Sequence, residues 1–224
     1  MASNGRTNLD DNVVVIGLGR FGGQVADSLL RLGHEVLGID ESPKIVQQWA
    51  DRLTHVAQAD STDNDALRQL GVHEFKRAVV GIGTDIEASV LTVLALTEIG
   101  ITEIWAKAIS AKHGKILSSV GANHVIYPEA VMGDRVAHLI TSKMIDFIEF
   151  DQGFAIAEVR APKETAGRSL ADIGLRKRHG ITVIAVRPPD GSFIFAEAQT
   201  LVPAGSKLIV AGTPKQVQAF AATT

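Results

Sequence analysis

From Asn12 to Pro128 the chain alternates short β-branched runs with helix-period patterns, and this rhythm constrains the fold more than any other feature. The strand-like runs cover 13–17, 35–40, 54–60, 77–83, 103–108 and 124–128, with helical patterns at about 21–32, 43–51, 63–70, 86–99 and 110–119. A helix between every two strands returns the chain to the same edge, so the expected fold class is α/β: a Rossmann-like, doubly wound parallel sheet. The runs VVVIG and AVVGIG are continuously apolar, as strands covered on both faces are. Gly33, Gly71, Gly100 and Gly121 stand where helices are expected to stop.

After Pro128 the rhythm changes. Val136, Leu139, Ile140, Lys143, Met144 and Phe147 recur at spacings of three and four, which predicts one helix over about 129–146. Ala137, Ile145 and Ile148 make its other side apolar too, so it has more than one neighbour. Either it is a connecting helix buried inside one subunit or a crossover helix that forms a dimer. Beyond Phe150 the pattern is β-rich: strands over 153–162, 181–197 and 207–212, a short helix within 168–180, a hairpin at Pro189-Asp190-Gly191 and a last helix over 214–222. The expected division is a nucleotide-binding domain over 11–128, a crossover helix over 129–149 and a small α+β domain over 150–222.

Composition narrows the function. With 22 Lys+Arg against 25 Asp+Glu the net charge is −3, so no basic excess exists to neutralise a nucleic acid. The chain has no cysteine, which excludes disulfides, thiolate metal sites and a cysteine nucleophile and fits a reducing, cytoplasmic setting. The first eleven residues lack the apolar core of a signal peptide, and no stretch approaches the roughly 18 apolar residues of a spanning helix. The expectation is a soluble chain whose membrane role, if any, comes through a partner.

The strongest motif is Gly17-Leu18-Gly19-Arg20-Phe21-Gly22, directly after a strand and opening a helix. Gly17 permits a tight turn, Gly19 lets backbone approach a pyrophosphate, and Gly22 allows close helix-strand packing, with helix N–H groups facing the anion. Asp40, 18 residues past Gly22 at the end of the second strand, is placed to accept ribose hydroxyls, with Glu41 beside it. A carboxylate there selects NAD(H), ATP or ADP over NADP; an alternative is helix capping ahead of Ser42-Pro43. Asp60, Ser61 and Thr62 end the third strand where an adenine or ribose edge would lie, although Thr62 and Asp63 also suit a helix cap. Gly81, Ile82 and Gly83 end the fourth strand on the same rim, in a nucleotide-facing turn or a plain one. Arg20 and Lys107 are phosphate candidates, with a solvated surface role as the alternative for each.

Catalytic groups are missing. The histidines at 34, 55, 73, 113, 124, 138 and 179 show no metal-ligand spacing, Tyr127 lacks a Tyr-x-x-x-Lys partner, and neither GxSxG nor Walker A occurs. About 75 residues remain for a second domain, fewer than a dehydrogenase usually adds. The expectation is a protein that reads a nucleotide and is not an enzyme, with a small NAD(H)-dependent oxidoreductase or redox sensor as the alternative.

On these residues the chain resembles the RCK (KTN) family, the regulatory subunits of Ktr and Trk potassium uptake systems, and the Ktr type most. VIGLGRFG (15–22), GHEVLGID (33–40), ADST (59–62), VVGIGTDIEASVLT (79–92), EIWAKA (103–108), KILSSVGANHVIYPE (115–129) and LRKRHGITVIAV (175–186) carry the resemblance. It implies homodimers assembled into a homo-octameric ring beneath a membrane potassium-translocating subunit, with ATP and ADP competing for the cleft. It implies that Arg20 reaches the γ-phosphate of a neighbouring subunit's ATP, and that Glu129 helps hold a divalent or monovalent cation there. Some second domains of this family bind cyclic di-AMP between two copies, and the matching stretch holds Ile173, Arg176, Ile181 and Thr182. Efflux-system modules and channel gating rings share the fold.

Overall fold

The structure is a computed structural model that describes residues 12–150 and 153–224. The signal-peptide reading and the expected domain start at residue 11 fall outside these residues. The chain divides into two compact units between Glu129 and Ala130. Among the described residues, no helix is long and apolar enough to cross a membrane.

The first unit is built as β1 (Val13–Ile16), α1 (Arg20–Arg31), β2 (Val36–Asp40), α2 (Pro43–Trp49), β3 (His55–Gln58), α3 (Asn64–Gln69), β4 (Arg77–Val80), α4 (Ile86–Glu98), β5 (Glu103–Lys107), α5 (Ala111–Ser119) and β6 (His124–Ile126). All strand pairs are parallel, in the order β3-β2-β1-β4-β5-β6. Alternate side chains of β1 serve opposite layers: Val14 and Ile16 join Leu67, Leu96 and Leu117 on one face, and Val13 and Val15 join Ala26 and Trp49 on the other. That explains the unbroken apolar run. Gly33, Gly71, Gly100 and Gly121 all have φ between 74° and 120°, left-handed backbone that ends the preceding helix before the next strand begins.

Strand order reverses between β1 and β4. Both neighbours of β1 run parallel to it, but β2 follows through α1 on one side and β4 is reached by crossing back on the other. The loops after β1 and β4 therefore diverge and open a crevice at the carboxyl ends. Gly81 N–H donates to the Ile16 carbonyl (2.7 Å) and Gly17 N–H to the Ile39 carbonyl (2.8 Å), so the ladder is tied right up to that rim.

The expected long helix, which starts in the first unit and runs into the second, stops early. α6 (Pro128–Thr141) is followed by β7 (Met144–Phe150), an edge strand antiparallel to β8 (Phe154–Arg160). The helical spacing misleads because the β7–β8 register shifts between Met144 and Asp146. A bulge inserts one residue, so Met144 and Phe147, three apart, both turn inward and are 6% and 3% exposed. Ser142 accepts the Met144 N–H at the junction (3.2 Å).

Then come β9 (Arg168–Ser169), α7 (Leu170–Ile173), α8 (Leu175–His179), β10 (Thr182–Arg187), β11 (Ile194–Phe195), β12 (Leu201–Val202), β13 (Lys207–Gly212) and α9 (Pro214–Ala221). The main sheet has the order β11-β10-β13-β8-β7 and β9 pairs with β12. The hairpin turn falls as expected, with Gly191 N–H donating to the Pro188 carbonyl (3.3 Å). Val159, Leu208, Val210 and Phe220 close this core at zero exposure.

Two consequences are measurable. Phe147→Ala removes a buried ring from β7 and is expected to cost about 3–5 kcal/mol in denaturant unfolding. His113 on α5 is 2% exposed, accepts a weak hydrogen bond from Ile109 N–H (3.4 Å) and is held below its ordinary value of 6.5 by burial. The unfolded chain then binds the proton more readily. The stability contributed by neutral His113 is present above about pH 6.5 and is lost as pH falls through and below it. Between pH 7.5 and 5.5 the unfolding midpoint is expected to drop further in the wild type than in His113→Gln.

Candidate functional site

The glycine loop is shaped by three backbones that nearly touch. Gly17 has φ +82°, and a Cβ on Gly22 would lie 1.9 Å from the Gly17 carbonyl oxygen. A Cβ on Gly81 would lie 2.8 Å from that same oxygen and 3.0 Å from the Gly22 Cα. Gly19 differs, since a Cβ there would meet nothing within 4 Å: its empty side faces open space. Gly19 is also the N-cap of α1 and offers no side-chain acceptor, so the first-turn N–H groups of Arg20, Phe21 and Gly22 have no side-chain cap. A loop built this way presents donors and positive helix-end potential with no side chain in front of them.

Asp40 fixes the loop. It is 8% exposed, its Oδ2 accepts the Leu18 N–H (2.7 Å) and its Oδ1 accepts the Ser42 N–H (2.9 Å). Ser42, not Asp40, is the N-cap of α2, which removes the capping alternative. Each carboxylate oxygen keeps a second lone pair for a ligand hydroxyl. Leu18 contributes through its backbone alone, since its side chain is core and its N–H is taken. Ile82 likewise packs on the core from the β4 rim, and Glu41 is exposed at the start of the β2–α2 turn.

The β3 end separates into different roles. Asp60 Oδ1 accepts both the Thr62 hydroxyl (2.7 Å) and the Thr62 N–H (2.9 Å), which hold its carboxyl below the usual carboxylate range. Asp63 caps α3 by accepting from Asp65 N–H and Ala66 N–H, so the cap is Asp63 and not Thr62. Ser61 is 7% exposed and its hydroxyl lies 2.7 Å from that of Thr92 on α4. Its side chain ties the interior together instead of facing a ligand, a correction to its expected role.

Lys107 and Glu129, far apart in sequence, meet here. Lys107 Nζ donates to Glu129 Oε1 (2.6 Å), with the lysine side chain 12% exposed and the glutamate 66%. The glutamate carboxyl sits below its ordinary range, chiefly through this hydrogen bond, with further help from its own backbone N–H and the Lys107 and Arg20 charges. Nζ also lies 5.8 Å from the centre of the Phe21 ring. The loop, Lys107 and Glu129 thus gather at the carboxyl ends of β1, β5 and β6, and the charge of Arg20, at the start of α1, acts on Glu129 as well. Sequence reading named these residues but did not pair Lys107 with Glu129, nor assign Asp40 the loop N–H. Both links depend on the order of strands in the sheet.

A phosphate group fits the glycine loop, because the space in front of Gly19 is open and the helix N–H groups behind it have no side-chain cap. A cation alone does not fit one chain: among the described residues no three acidic or histidine side chains converge, and Glu129 is already held by Lys107. In the second unit Arg176 and Thr182 are exposed, whereas Ile173 and Ile181 are 2% and 0% exposed core residues. The two isoleucines therefore present no face to an adenine in this structure, a correction to the reading that placed them there.

The glycines separate experimentally. Gly22→Ala is expected to destabilise the fold by about 2 kcal/mol or more, since neighbouring backbone must move, while Gly19→Ala stays within about 0.5 kcal/mol. Denaturant unfolding of the two variants compares them.

A TrkA-N domain model matches residues 13–128 and a TrkA-C domain model matches residues 155–223. The Ktr system potassium uptake proteins C and A of Bacillus subtilis (strain 168) are 34% and 33% identical over 207 residues, covering 92% of this chain and 94% and 93% of theirs. A GsuK channel superposes with a TM-score of 0.65 at 21% identity over 94% of this chain, which spans 39% of that channel's length. A GsuK channel bound to NAD gives 0.50 at 24% identity, over 94% of this chain and 38% of that one. At such identities the two channels share the fold. The chain belongs to the TrkA-N/TrkA-C (RCK) family of regulatory subunits of Ktr- and Trk-type potassium uptake systems.

Proposed function

We propose that this chain is a nucleotide-sensing gating subunit, reading ATP against ADP in the Gly17–Gly22 cleft and passing the difference to a membrane potassium-translocating partner on its cytoplasmic side. The observation that carries the reading is the convergence of Arg20, Lys107 and Glu129 on an uncapped helix N-terminus beside a glycine that leaves room for phosphate. Two cations against one anion favour a polyphosphate, and the helix end adds to them. Asp40 takes the ribose hydroxyls with the lone pairs that Leu18 and Ser42 leave free. The chemistry is binding, and no residue of the site is assigned an acid, base or nucleophile role.

A homodimer completes the site. Met132, Val136 and Ile140, at successive i+4 spacings, are exposed along α6, an apolar stripe suited to a second copy and hence to the crossover reading. Across such a dimer Arg20 reaches the terminal phosphate bound by the neighbour, and a cation joins Glu129 and phosphate oxygens, offsetting the repulsion between two facing triphosphates. Dimers assemble into an octameric ring, and ATP and ADP act by favouring different ring shapes. NAD(H) is the alternative ligand of the same cleft, because the Asp40 carboxylate suits any free 2′-hydroxyl and a GsuK channel of the same fold is bound to NAD.

Calorimetry with ATP, ADP and NADH, together with light-scattering mass and solution-scattering shape, tests the proposal. The expected result is an assembly of eight chains whose shape differs between ATP and ADP, with Arg20→Ala lowering ATP affinity by about tenfold or more and removing the shape difference. A dimer indifferent to ATP but tight for NADH would overturn it.

A further inference from the structure

Lys107 and Glu129 are unequal partners. The lysine side chain is 12% exposed and lies along the end of β4, so close that a Cβ on Gly83 would sit 3.2 Å from its Cε and Nζ. The glutamate is 66% exposed on the first turn of α6. A largely buried ammonium is costly to leave without an anion, whereas an exposed carboxylate returns to water cheaply. The same ammonium lies 5.8 Å from the ring of Phe21, in the first turn of α1, beside the loop that would hold phosphates. The Arg20 charge also helps keep the Glu129 carboxyl ionised. One cation therefore has one anionic partner on the chain itself and sits next to the place that a phosphate would take.

Resting on the nucleotide reading of this cleft, we propose that Glu129 is an internal stand-in for phosphate: it neutralises Lys107 while the cleft is empty and yields it to a bound di- or triphosphate. The exchange has two effects. While no cation bridges it to phosphate, Glu129 competes with the nucleotide and weakens its binding, and the tie between the end of β5 and the first turn of α6 is released when the cleft fills. A terminal phosphate carries more charge than a carboxylate, and the flexible lysine stem needs only a small swing to follow it. α6 continues into the second unit, so the tie lies on the covalent path by which occupancy of the cleft is felt there.

The test is a thermodynamic cycle on the full chain, with ADP affinity measured calorimetrically in EDTA so that no divalent cation bridges Glu129 to phosphate. Glu129→Gln is expected to tighten ADP by about threefold to tenfold, and Lys107→Met to weaken it by a similar factor. In the Lys107→Met background Glu129→Gln should then change nothing. Hydrogen exchange over 128–141 supplies a second readout, expected to rise on ADP addition in the wild type and to be raised already in Lys107→Met. Lys107→Gln is run in parallel, and thermal melts identify a variant that fails to fold. If Glu129→Gln leaves affinity unchanged or lowers it, or tightens it equally without Lys107, the exchange is overturned, the last outcome being plain charge repulsion. Binding of ADP without coupling between the two residues sinks the exchange alone, whereas no binding of ADP or ATP to the wild type sinks the nucleotide reading with it.

Discussion

Everything at the candidate site depends on the close approach of three backbones at the Gly17 carbonyl. Gly22 on α1 and Gly81 at the end of β4 both come within distances that no Cβ tolerates. Only because these residues lack side chains can α1 start directly against β1 while β4 lies alongside. That proximity aims the first turn of α1 at the crevice where strand order reverses, and the crevice is where an open parallel sheet leaves room for a ligand. Asp40 then braces the loop from the neighbouring strand through Leu18 N–H, so the cradle is held before any ligand arrives. A preorganised cradle spares a ligand the cost of ordering it.

Electrostatics follow from this geometry. A helix end without a side-chain cap, an exposed arginine and a nearly buried lysine make a positive region that one glutamate offsets. The offset is local, between a glutamate that is mostly in water and a lysine that is not. The same cluster sits where α6 leaves the parallel sheet, so charge at the cleft and the start of the connecting helix are physically one feature. A regulatory subunit needs such a link, since a ligand shifts an equilibrium only through groups that it contacts differently in two states.

Much of the first unit was legible because its signals are local and mutually consistent. Apolar runs such as Val13–Ile16 need cover on both faces, and a left-handed glycine stands where α1, α3, α4 and α5 turn back towards a strand, at Gly33, Gly71, Gly100 and Gly121. Residues 144–150 were not legible. Met144 and Phe147 stand at helical spacing but share one face of a strand through a bulge, a choice made by pairing with β8 and not by the segment itself. Ile173 and Ile181 misled for a related reason: a motif names residues, and only packing says which of them the core has taken.

Sequence alone determined the α/β alternation, the glycine loop, the carboxylate 18 residues beyond it and the family, since each rests on residue type and spacing along one chain. Tertiary structure decided what those residues hold: Asp40 on Leu18 N–H, Ser61 on Thr92, Lys107 on Glu129. Each of these links joins elements distant in sequence and adjacent only once the sheet order is set. Hydrogen bonds and ion pairs act over a few ångströms, so their partners are fixed by the sheet that carries them and not by the order of residues in the chain.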